Sequence, residues 1–416
     1  MNHFTGIVIV ALFASTMPRA FAQTTDASPW QANRELVTKL SEKQPEFIYE
    51  EDKVPEFDLP PVLESSTESP QHWTSVTRPK LLQQFRDHVY GNRPDTKHSV
   101  STRQVKTVSN AFDGKATGHQ MEMTVSIGDR QFSFPFVLMT PNQSKQPTPA
   151  VVFINNRSQL SLDDVVAESD TFWPARTLIE RGYATASFFT SDVDPDDKDR
   201  YSDSIRSFFA NGEFPSQKSW GSLSAWGWAA SRMLEQLAAQ PSVDADRIAV
   251  VGHSRGGKTA LWAAAEDDRF AAVHSNESGC GGAALSRRQF GESVARITRV
   301  FPHWFCRAFT AYSDNESELP VDQHQLIAIL APRGVYISSA DEDLWADPHG
   351  EYLALVHSAP AFELLGQAAI TQTSMPPIDQ QRVRGKTGYH VRSGPHNLTP
   401  FDWDMFLDFT DTLFVR

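Results

Sequence analysis

The sequence predicts an α/β fold, a three-layer sandwich in which a mostly parallel central sheet carries helices on both faces. Continuous apolar runs suited to buried strands, such as Ala150 to Ile154 and Ile248 to Val251, alternate with segments of helical periodicity. This alternation is typical of parallel sheets whose strands are joined by helices. With 416 residues and 40% hydrophobic content, the chain can bury one large core. We therefore expect a single domain from residue 78 to residue 416.

Local patterns place the individual elements. Residues 78–90 carry apolar side chains at helical spacing and end at Gly91-Asn92, which predicts a helix. Residues 100–140 alternate apolar and polar side chains around a turn at Gly128-Asp129, which predicts antiparallel strands. The acidic run from Asp192 to Asp199 predicts a solvated loop. The later patterns predict helices over 172–181, 220–238 and 351–365, an amphipathic segment over 287–305, and strands over 183–189, 334–338 and 388–392.

The N-terminal residues 1–22 have the pattern of a secretory signal peptide. An apolar run from Gly6 to Ser15 precedes Ala20-Phe21-Ala22, which matches an Ala-x-Ala cleavage site. The run is much shorter than the roughly 20 apolar residues that a membrane span needs. We therefore expect a secreted or periplasmic protein without a membrane span. Residues 23–77, which are acidic, contain prolines and show little periodicity, are interpreted as a surface segment.

Charge and cysteine content limit the partners. Removal of the signal peptide takes away Arg19, one of 38 basic residues. The remaining chain has 37 basic and 51 acidic residues, which gives a net charge of −14. Nucleic acid is an unfavourable partner for such a chain. Cys280 and Cys306 form either a disulfide, which an oxidising compartment permits, or two buried thiols. The acidic stretch 341–347 lacks the central glycine of a calcium loop, so we expect no metal. We also expect a monomer without a cofactor.

The stretch Gly252-His253-Ser254-Arg255-Gly256 lies between a predicted strand and an alanine-rich helix. It matches Gly-x-Ser-x-Gly, the nucleophile elbow of the α/β-hydrolase fold, which exposes a serine on a sharp strand-to-helix turn. We therefore interpret Ser254 as a nucleophile; the alternative is a serine that only caps the helix. Arg255 follows it, and its backbone N–H and guanidinium are candidate donors to an oxyanion hole.

Two further features lie near this elbow. In this fold the loop after an earlier strand supplies the second oxyanion amide, which places Asn155 and Asn156 near the site, although both side chains also suit a turn. Lys258 lies one helical turn after Ser254, so its ammonium can point toward the pocket above the serine. A lone lysine at such a position is more often a solvated surface residue.

A triad in this fold follows the order serine, acid, histidine. His396 lies in the loop after the last predicted strand and is the expected base, whereas His390 within that strand is the alternative and more resembles a packed core histidine. Two carboxylates are suitably placed: Glu277 ends the strand after the elbow helix, and Asp343 follows a later strand. Both can accept a hydrogen bond from one imidazole, so the residues alone leave the acid open.

The paired motifs Gly-x-Ser-Arg-x-Gly-Lys at 252–258 and Asn-Glu-Ser-Gly-x-Gly-Gly at 276–282 resemble those of the glucuronoyl esterases, carbohydrate esterase family 15. The resemblance extends from about Arg78 to the C terminus and includes Tyr90-Gly91-x-Arg93-Pro94. His253 stands where fungal members carry a cysteine. That difference removes a fungal disulfide and matches the bacterial members.

The resemblance implies hydrolysis of esters that join 4-O-methyl-glucuronic acid on xylan to aromatic alcohols of lignin. The residues it implies for binding the sugar are Lys258, Glu292 and Trp345, with Trp304 as a neighbour. It also ranks Glu277 narrowly before Asp343 as the triad acid, with the work partly shared. Two alternatives are another acyl hydrolase, such as an acetyl xylan esterase, and a non-catalytic carbohydrate-binding relative. The complete set of serine, acid and histidine argues against the second.

Overall fold

The computed structural model describes residues 30–144, 146–169 and 171–414. The predicted signal peptide lies outside these residues. The strands are β1 Ser99–Asn110, β2 Ala116–Ile127, β3 Arg130–Pro141, β4 Thr148–Asn155, β5 Ala184–Phe189, β6 Val243–His253, β7 Ala272–Asn276, β8 Gly334–Ala340, β9 Gln380–Arg384 and β10 Thr387–Arg392. The helices are α1 Arg34–Lys43, α2 Pro70–His72, α3 Arg78–Phe85, α4 Ala111–Gly114, α5 Leu162–Val166, α6 Ala175–Glu180, α7 Thr190–Val193, α8 Ile205–Phe209, α9 Ser222–Ala238, α10 Arg255–Glu266, α11 Val294–Val300, α12 Gln323–Ile329, α13 Pro348–His357, α14 Ala359–Leu364 and α15 Pro400–Phe414.

Within the described ranges, ten strands form one sheet in the order β1-β2-β3-β5-β4-β6-β7-β8-β10-β9. The six strands from β5 to β10 in this order are mutually parallel. The first three strands and β9 join them antiparallel at the two edges. The prediction of antiparallel strands over 100–140 agrees with β1 to β3, because alternating side chains suit strands with one face less buried.

Helices cover both faces of the sheet. Successive side chains of a strand point to opposite faces, and along β4 Val152 and Ile154 join the core that α9 and α10 also enter, whereas Val151 and Phe153 join the core shared with α6 and α15. Both faces of the central strands are therefore apolar, which explains their continuous hydrophobic runs. The predicted mostly parallel sheet with helices on both faces is confirmed.

The topology brings four loops to one edge of the sheet. Strands β6, β7, β8 and β10 are consecutive and parallel, so their carboxyl ends lie side by side. Ser254 follows β6, Glu277 follows β7, Asp343 comes three residues after β8, and His396 comes four residues after β10. Residues far apart in sequence thus share one edge, where ligands bind in open α/β sheets.

One local expectation differs from the structure, and the structure specifies two others. The acidic run at 192–199 is not a solvated loop throughout, because Asp194 is fully buried and pairs with Arg206. The amphipathic segment at 287–305 contains only the short helix α11. Of the two alternatives for Cys280 and Cys306, the structure has two buried free thiols.

Among the described residues, no helix is both long enough and apolar enough to cross a membrane.

Candidate active site

The elbow at Ser254 is a strained turn that the surrounding glycines permit. Ser254 has φ 56° and ψ −124°, a conformation that a side-chain-bearing residue rarely adopts. Its backbone N–H donates to the carbonyl of Asn276 at 2.8 Å. A Cβ on Gly252 would lie 2.0 Å from the carbonyl oxygen of Gly256, so glycine is required there. A Cβ on Gly256 would lie 3.2 Å from the carbonyl oxygen of Ile154, which is tight but far less severe.

His396 lies beside this elbow. Its ring centroid is 4.4 Å from that of His253, the residue before Ser254, and its side chain is 43% exposed. Its Nδ1 donates to Oδ2 of Asp343 at 2.6 Å, and Oε2 of Glu277 lies 3.1 Å from the same nitrogen. With two carboxylates facing Nδ1, that nitrogen carries the proton and Nε2 is left as the base.

His390 has different surroundings. It is fully buried, Oδ1 of Asp402 lies 2.9 Å from its Nε2, and the hydroxyl of Tyr336 lies 2.8 Å from its Nδ1. Both ring nitrogens therefore have partners inside the core. These contacts fit the expectation of a packed core histidine.

The two carboxylates near His396 are held differently. Glu277 is fully buried, accepts from Nη2 of Arg392 at 2.6 Å and accepts from the backbone N–H of Asn397 at 2.9 Å. The side chain of Asp343 accepts its hydrogen bond from His396, the donor found for it in the described part of the chain. The sequence ranked Glu277 first, but the shorter contact belongs to Asp343. Glu277 is largely occupied in tying β7 to the loop after β10.

These charges shift the titration of the groups involved. Burial lowers the pKa of His396, but Asp343 and Glu277 outweigh this effect and raise it above its ordinary value. Burial raises the pKa of the Glu277 carboxyl, against the opposing effects of His396 and Arg392. Burial lowers the pKa of His253 well below its usual range, so the ring beside His396 is neutral. Of these two neighbouring rings, His396 is therefore the one whose charged form is favoured.

Arg392 braces the loop that carries His396. Its Nη2 donates to the carbonyls of Pro395 at 2.8 Å and Asn397 at 2.7 Å, and its Nε donates to Asp402 at 3.0 Å. Because a buried guanidinium is stable only when its donors are satisfied, this arrangement fixes the loop backbone.

Arg255 lies on the opposite side of the elbow. It begins α10, so its backbone N–H is among those without an acceptor inside the helix. Its Nε lies 2.6 Å from Oδ2 of Asp196, and its Nη2 donates to the carbonyl of Asn156 at 2.9 Å. Oδ1 of Asp196 accepts from Trp304 Nε1 at 2.6 Å and lies 3.0 Å from His303 Nε2. Burial raises the pKa of Asp196, but these donors outweigh it and hold the pKa below its ordinary value.

The two asparagines after β4 differ in role. Asn155 donates from Nδ2 to the carbonyl of Ser158 at 2.8 Å and accepts from the backbone N–H of Arg157 at 3.0 Å, which is a turn-forming pattern. Asn156 is buried and its carbonyl anchors Arg255. The loop therefore contacts the arginine side of the elbow through its backbone.

Lys258 is buried and not a surface residue. Its Nζ donates to the carbonyls of Ser278 at 2.5 Å and Cys280 at 2.7 Å, and it lies 5.9 Å from the ring centroid of Trp304. Burial raises the pKa of Glu292, against the charge of Lys258 and a hydrogen bond from the Trp345 side chain. The three residues predicted to bind sugar and their neighbour Trp304 thus form one group, in which Lys258 also holds the backbone after Glu277.

Sequence reasoning missed three residues of this region. The sequence places Asp196 in an acidic run predicted to be solvated, Arg392 in a strand, and Phe47 in a surface segment without periodicity. In the structure the ring of Phe47 lies 4.8 Å from that of Trp345. The one usable signal was the crowding of Asp192 to Asp199, since adjacent like charges need partners. Nothing local in the sequence marks Phe47.

His253, Glu277 and His396 offer donor atoms that lie within 4.8 Å of one another, a spacing that a metal ion tolerates. Glu277, however, is already paired with the Arg392 guanidinium. A divalent cation would compete with that buried cation, which disfavours binding at this cluster.

Comparisons with known proteins show the family of this chain. Residues 123–366 match the family model described as glucuronyl esterase, fungi. A curated carbohydrate esterase from an unknown prokaryotic organism is 34% identical over 398 residues, which cover 88% of this chain and 91% of that protein. The structure of a glucuronoyl esterase from Solibacter usitatus has a TM-score of 0.81 and 31% identity, with coverage of 88% of this chain and 100% of that one. The structure of a promiscuous esterase of carbohydrate esterase family 15, from a marine bacterial metagenome, has a TM-score of 0.79 and 34% identity, with coverage of 88% and 99%. The chain belongs to the glucuronoyl esterases of carbohydrate esterase family 15.

Proposed function

We propose that this protein is a serine esterase that hydrolyses esters of glucuronic acid and its 4-O-methyl form. The observation that carries the proposal is the position of His396 beside the Ser254 elbow, with its Nδ1 held by Asp343 and faced by Glu277. This arrangement supports nucleophilic acyl transfer. Family membership then selects the ester.

In the proposed mechanism, Oγ of Ser254 attacks the ester carbonyl while Nε2 of His396 takes its proton. The imidazolium that forms is stabilised by the Asp343 carboxylate 2.6 Å from Nδ1. The proton is then donated to the leaving alcohol as the acyl-enzyme forms. Water, activated by the same nitrogen, releases the uronic acid and restores Ser254.

Arg255 stabilises the oxyanion in this mechanism. Its backbone N–H lies at the start of α10, where the helix dipole also favours negative charge. Its guanidinium is fixed by Asp196 and the Asn156 carbonyl, while its Nη1 has no hydrogen-bond partner among the described residues. An oriented cation that needs no rearrangement during the reaction is an efficient source of transition-state stabilisation.

Glu292, Trp345, Lys258 and Trp304 form the sugar site in this proposal. Trp304 connects it to the reacting centre, because its ring lies 6.0 Å from Arg255 and 5.9 Å from Lys258. The Glu292 carboxylate provides an acceptor for sugar hydroxyls, and the indole faces provide an apolar surface. Lys258 has two of its three donors engaged with carbonyls, so at most one remains for the sugar.

The natural substrate in this proposal is the ester linkage between glucuronoxylan and lignin, and the protein acts outside the cytoplasm as a secreted or periplasmic enzyme. The signal-peptide pattern at residues 1–22 supports that location. The alcohol side of the ester is expected to be weakly discriminated.

Kinetics with two ester classes test the proposal. We expect kcat/KM for benzyl or methyl glucuronate to exceed that for p-nitrophenyl acetate, and both activities to disappear in Ser254→Ala. A preference for acetate, or for acetylated sugars, would instead identify an acetyl esterase. The test matters because one relative is described as promiscuous.

A further inference from the structure

The N-terminal segment from Phe47 to Glu51 packs against the residues of the proposed sugar site. The ring of Phe47 meets that of Trp345 edge-on, with centroids 4.8 Å apart and planes at 81°. Both side chains are only partly buried. An edge-to-face pair of this kind fixes the orientation of each ring beyond simple burial. Trp345 is therefore contacted by a residue that lies almost 300 positions earlier in the sequence.

The backbone of this segment holds the other side of the site. The carbonyl of Ile48 accepts from the N–H of Gly291 at 2.8 Å, and Ile48 forms a bridge with Phe290. The next residue, Glu292, donates its N–H to the carbonyl of Trp345 at 3.0 Å. Ile48, Gly291, Glu292 and Trp345 are thus linked in a chain of backbone contacts. A shift of the N-terminal segment would be passed to both sugar-binding side chains.

Gly291 shows how close these backbones are. It has φ +63°, and a Cβ there would lie 2.5 Å from the carbonyl oxygen of Trp345. Only glycine permits this approach without displacing Trp345. The backbone from Phe290 to Glu292 is therefore confined between Ile48 on one side and Trp345 on the other.

The segment is anchored where it leaves the site. Glu51 accepts from Nη2 of Arg288 at 2.9 Å and lies 3.2 Å from Nδ1 of His349, while Arg288 also donates to the buried Asp347 at 2.9 Å. Burial raises the pKa of Glu51, but His349 and Arg288 outweigh this effect and lower it to about 2. A carboxylate so strongly favoured in its charged form is a firm anchor.

We infer that Phe47 is a positioning residue for sugar recognition, which acts by holding Trp345 while the backbone of Ile48 holds Gly291 and Glu292. This inference rests on the proposed function, because it assumes that Trp345 and Glu292 contact the uronate. It assigns the N-terminal segment, which carries no chemical motif, to the binding site. Phe47 acts on binding and not on the reacting bonds, so its effect belongs to KM.

The test compares Phe47→Ala with Phe57→Ala, a matched change of another partly buried phenylalanine, six residues beyond the end of this segment. For Phe47→Ala we expect KM for methyl glucuronate to rise roughly two- to tenfold, the range of an aromatic pair, with kcat nearly unchanged. Activity on p-nitrophenyl acetate, which has no sugar, should be unaffected. Phe57→Ala should leave all three quantities unchanged. Phe47→Tyr, which keeps the ring, should restore KM, and Phe47→Leu, which keeps most of the volume, should not.

A second cycle separates this inference from the proposed function. In a Trp345→Ala background, Phe47→Ala should have no further effect on KM. If Trp345→Ala raises KM but Phe47→Ala and Phe47→Leu do not, the positioning role is wrong and the sugar site stands. If Trp345→Ala itself leaves KM unchanged, the sugar site of the proposed function fails. An equal loss on both esters in the Phe47 variants would show a general structural role and overturn the inference.

Discussion

The two sides of Ser254 are built on different principles. On the histidine side two carboxylates, Asp343 and Glu277, face the single nitrogen Nδ1 of His396 at 2.6 and 3.1 Å. On the arginine side a single carboxylate, Asp196, serves Arg255, His303 and Trp304.

The difference predicts how each side responds to damage. A side with two acceptors for one donor keeps a hydrogen bond when one acceptor is lost. A side with one acceptor for three donors loses all three contacts at once, and buried donors left unpaired are costly. We therefore expect a single change of Asp343 or Glu277 to cost less than the loss of both, whereas no second carboxylate can replace Asp196 on the arginine side.

The largest effect is expected at the base. His396→Ala should lower kcat by about 10⁴-fold, because the nucleophile and its base act as a unit. The control is His390→Ala, which should reduce thermal stability because it leaves Asp402 and Tyr336 with lost partners, while retaining measurable turnover. Steady-state kinetics and thermal unfolding of both variants check this. If His390→Ala lost turnover and His396→Ala did not, His390 would be the base and the assignment of His396 would be wrong.

The carboxylate pair gives the next largest effect. Asp343→Asn and Glu277→Gln should each lower kcat by roughly 10- to 100-fold, with the larger loss in Asp343→Asn because it makes the shorter contact. The double variant should approach the loss in His396→Ala. Steady-state kinetics of the three variants measure how the two carboxylates divide the orientation of His396 between them. One single variant as inactive as His396→Ala, with the other unaffected, would show that one acid does all the work.

Arg255→Ala should affect kcat more than KM, since an oxyanion donor acts mainly in the transition state. Removal of such a donor costs roughly 3 kcal/mol, or about 10²-fold in kcat. Steady-state kinetics with methyl glucuronate measure both constants. A rise in KM with kcat unchanged would place Arg255 in substrate binding instead.

Asp196→Asn tests the dependence on a single carboxylate. The amide keeps the shape but loses the charge opposite Arg255, so we expect kcat to fall roughly tenfold. Asp199→Asn is the control, because Asp199 is exposed in the same acidic run. In an Arg255→Ala background, Asp196→Asn should have little further effect on kcat. A full additional loss there would show that Asp196 supports the fold and not the arginine.

The smallest effect concerns pH. His396 must be unprotonated to act as a base, and Asp343 and Glu277 raise its pKa. Removing one negative charge in Asp343→Asn lowers that pKa, so the acid limb of kcat/KM should move to lower pH by about one unit. The pH profile of kcat/KM for the native protein and the variant measures the shift. A move to higher pH would contradict the assignment of His396 as the titrating base.

The sequence predicts the sheet, and it proposes the candidate site residues, for clear physical reasons. A strained serine turn needs small neighbours, so Gly252 makes the elbow visible in the sequence. Buried parallel strands need apolar residues on both faces, so β4 and β6 appear as continuous hydrophobic runs. His396 could be located because the chain order of this fold leaves few histidines after the last strand.

The rest depended on contacts between distant residues. The choice between Glu277 and Asp343 turns on Arg392, which occupies Glu277 and is 115 residues away from it. The sequence predicts Asp196 to be a solvated charge because its partners Arg255 and His303 lie about 60 and 110 residues further along the chain. No local sequence pattern marks Phe47, because the backbone around it is irregular and forms neither a helix nor a strand. The role of such residues can be recognised only from the folded structure, which shows the distant residues that they contact.

The central claim is that Ser254 is the nucleophile and is activated by His396. Labelling with a fluorophosphonate probe, followed by mass spectrometry of the peptides, tests it most directly. We expect a single label on Ser254, no label in Ser254→Ala, and strongly slowed labelling in His396→Ala. Labelling of another residue, or equal labelling of Ser254→Ala, would contradict it.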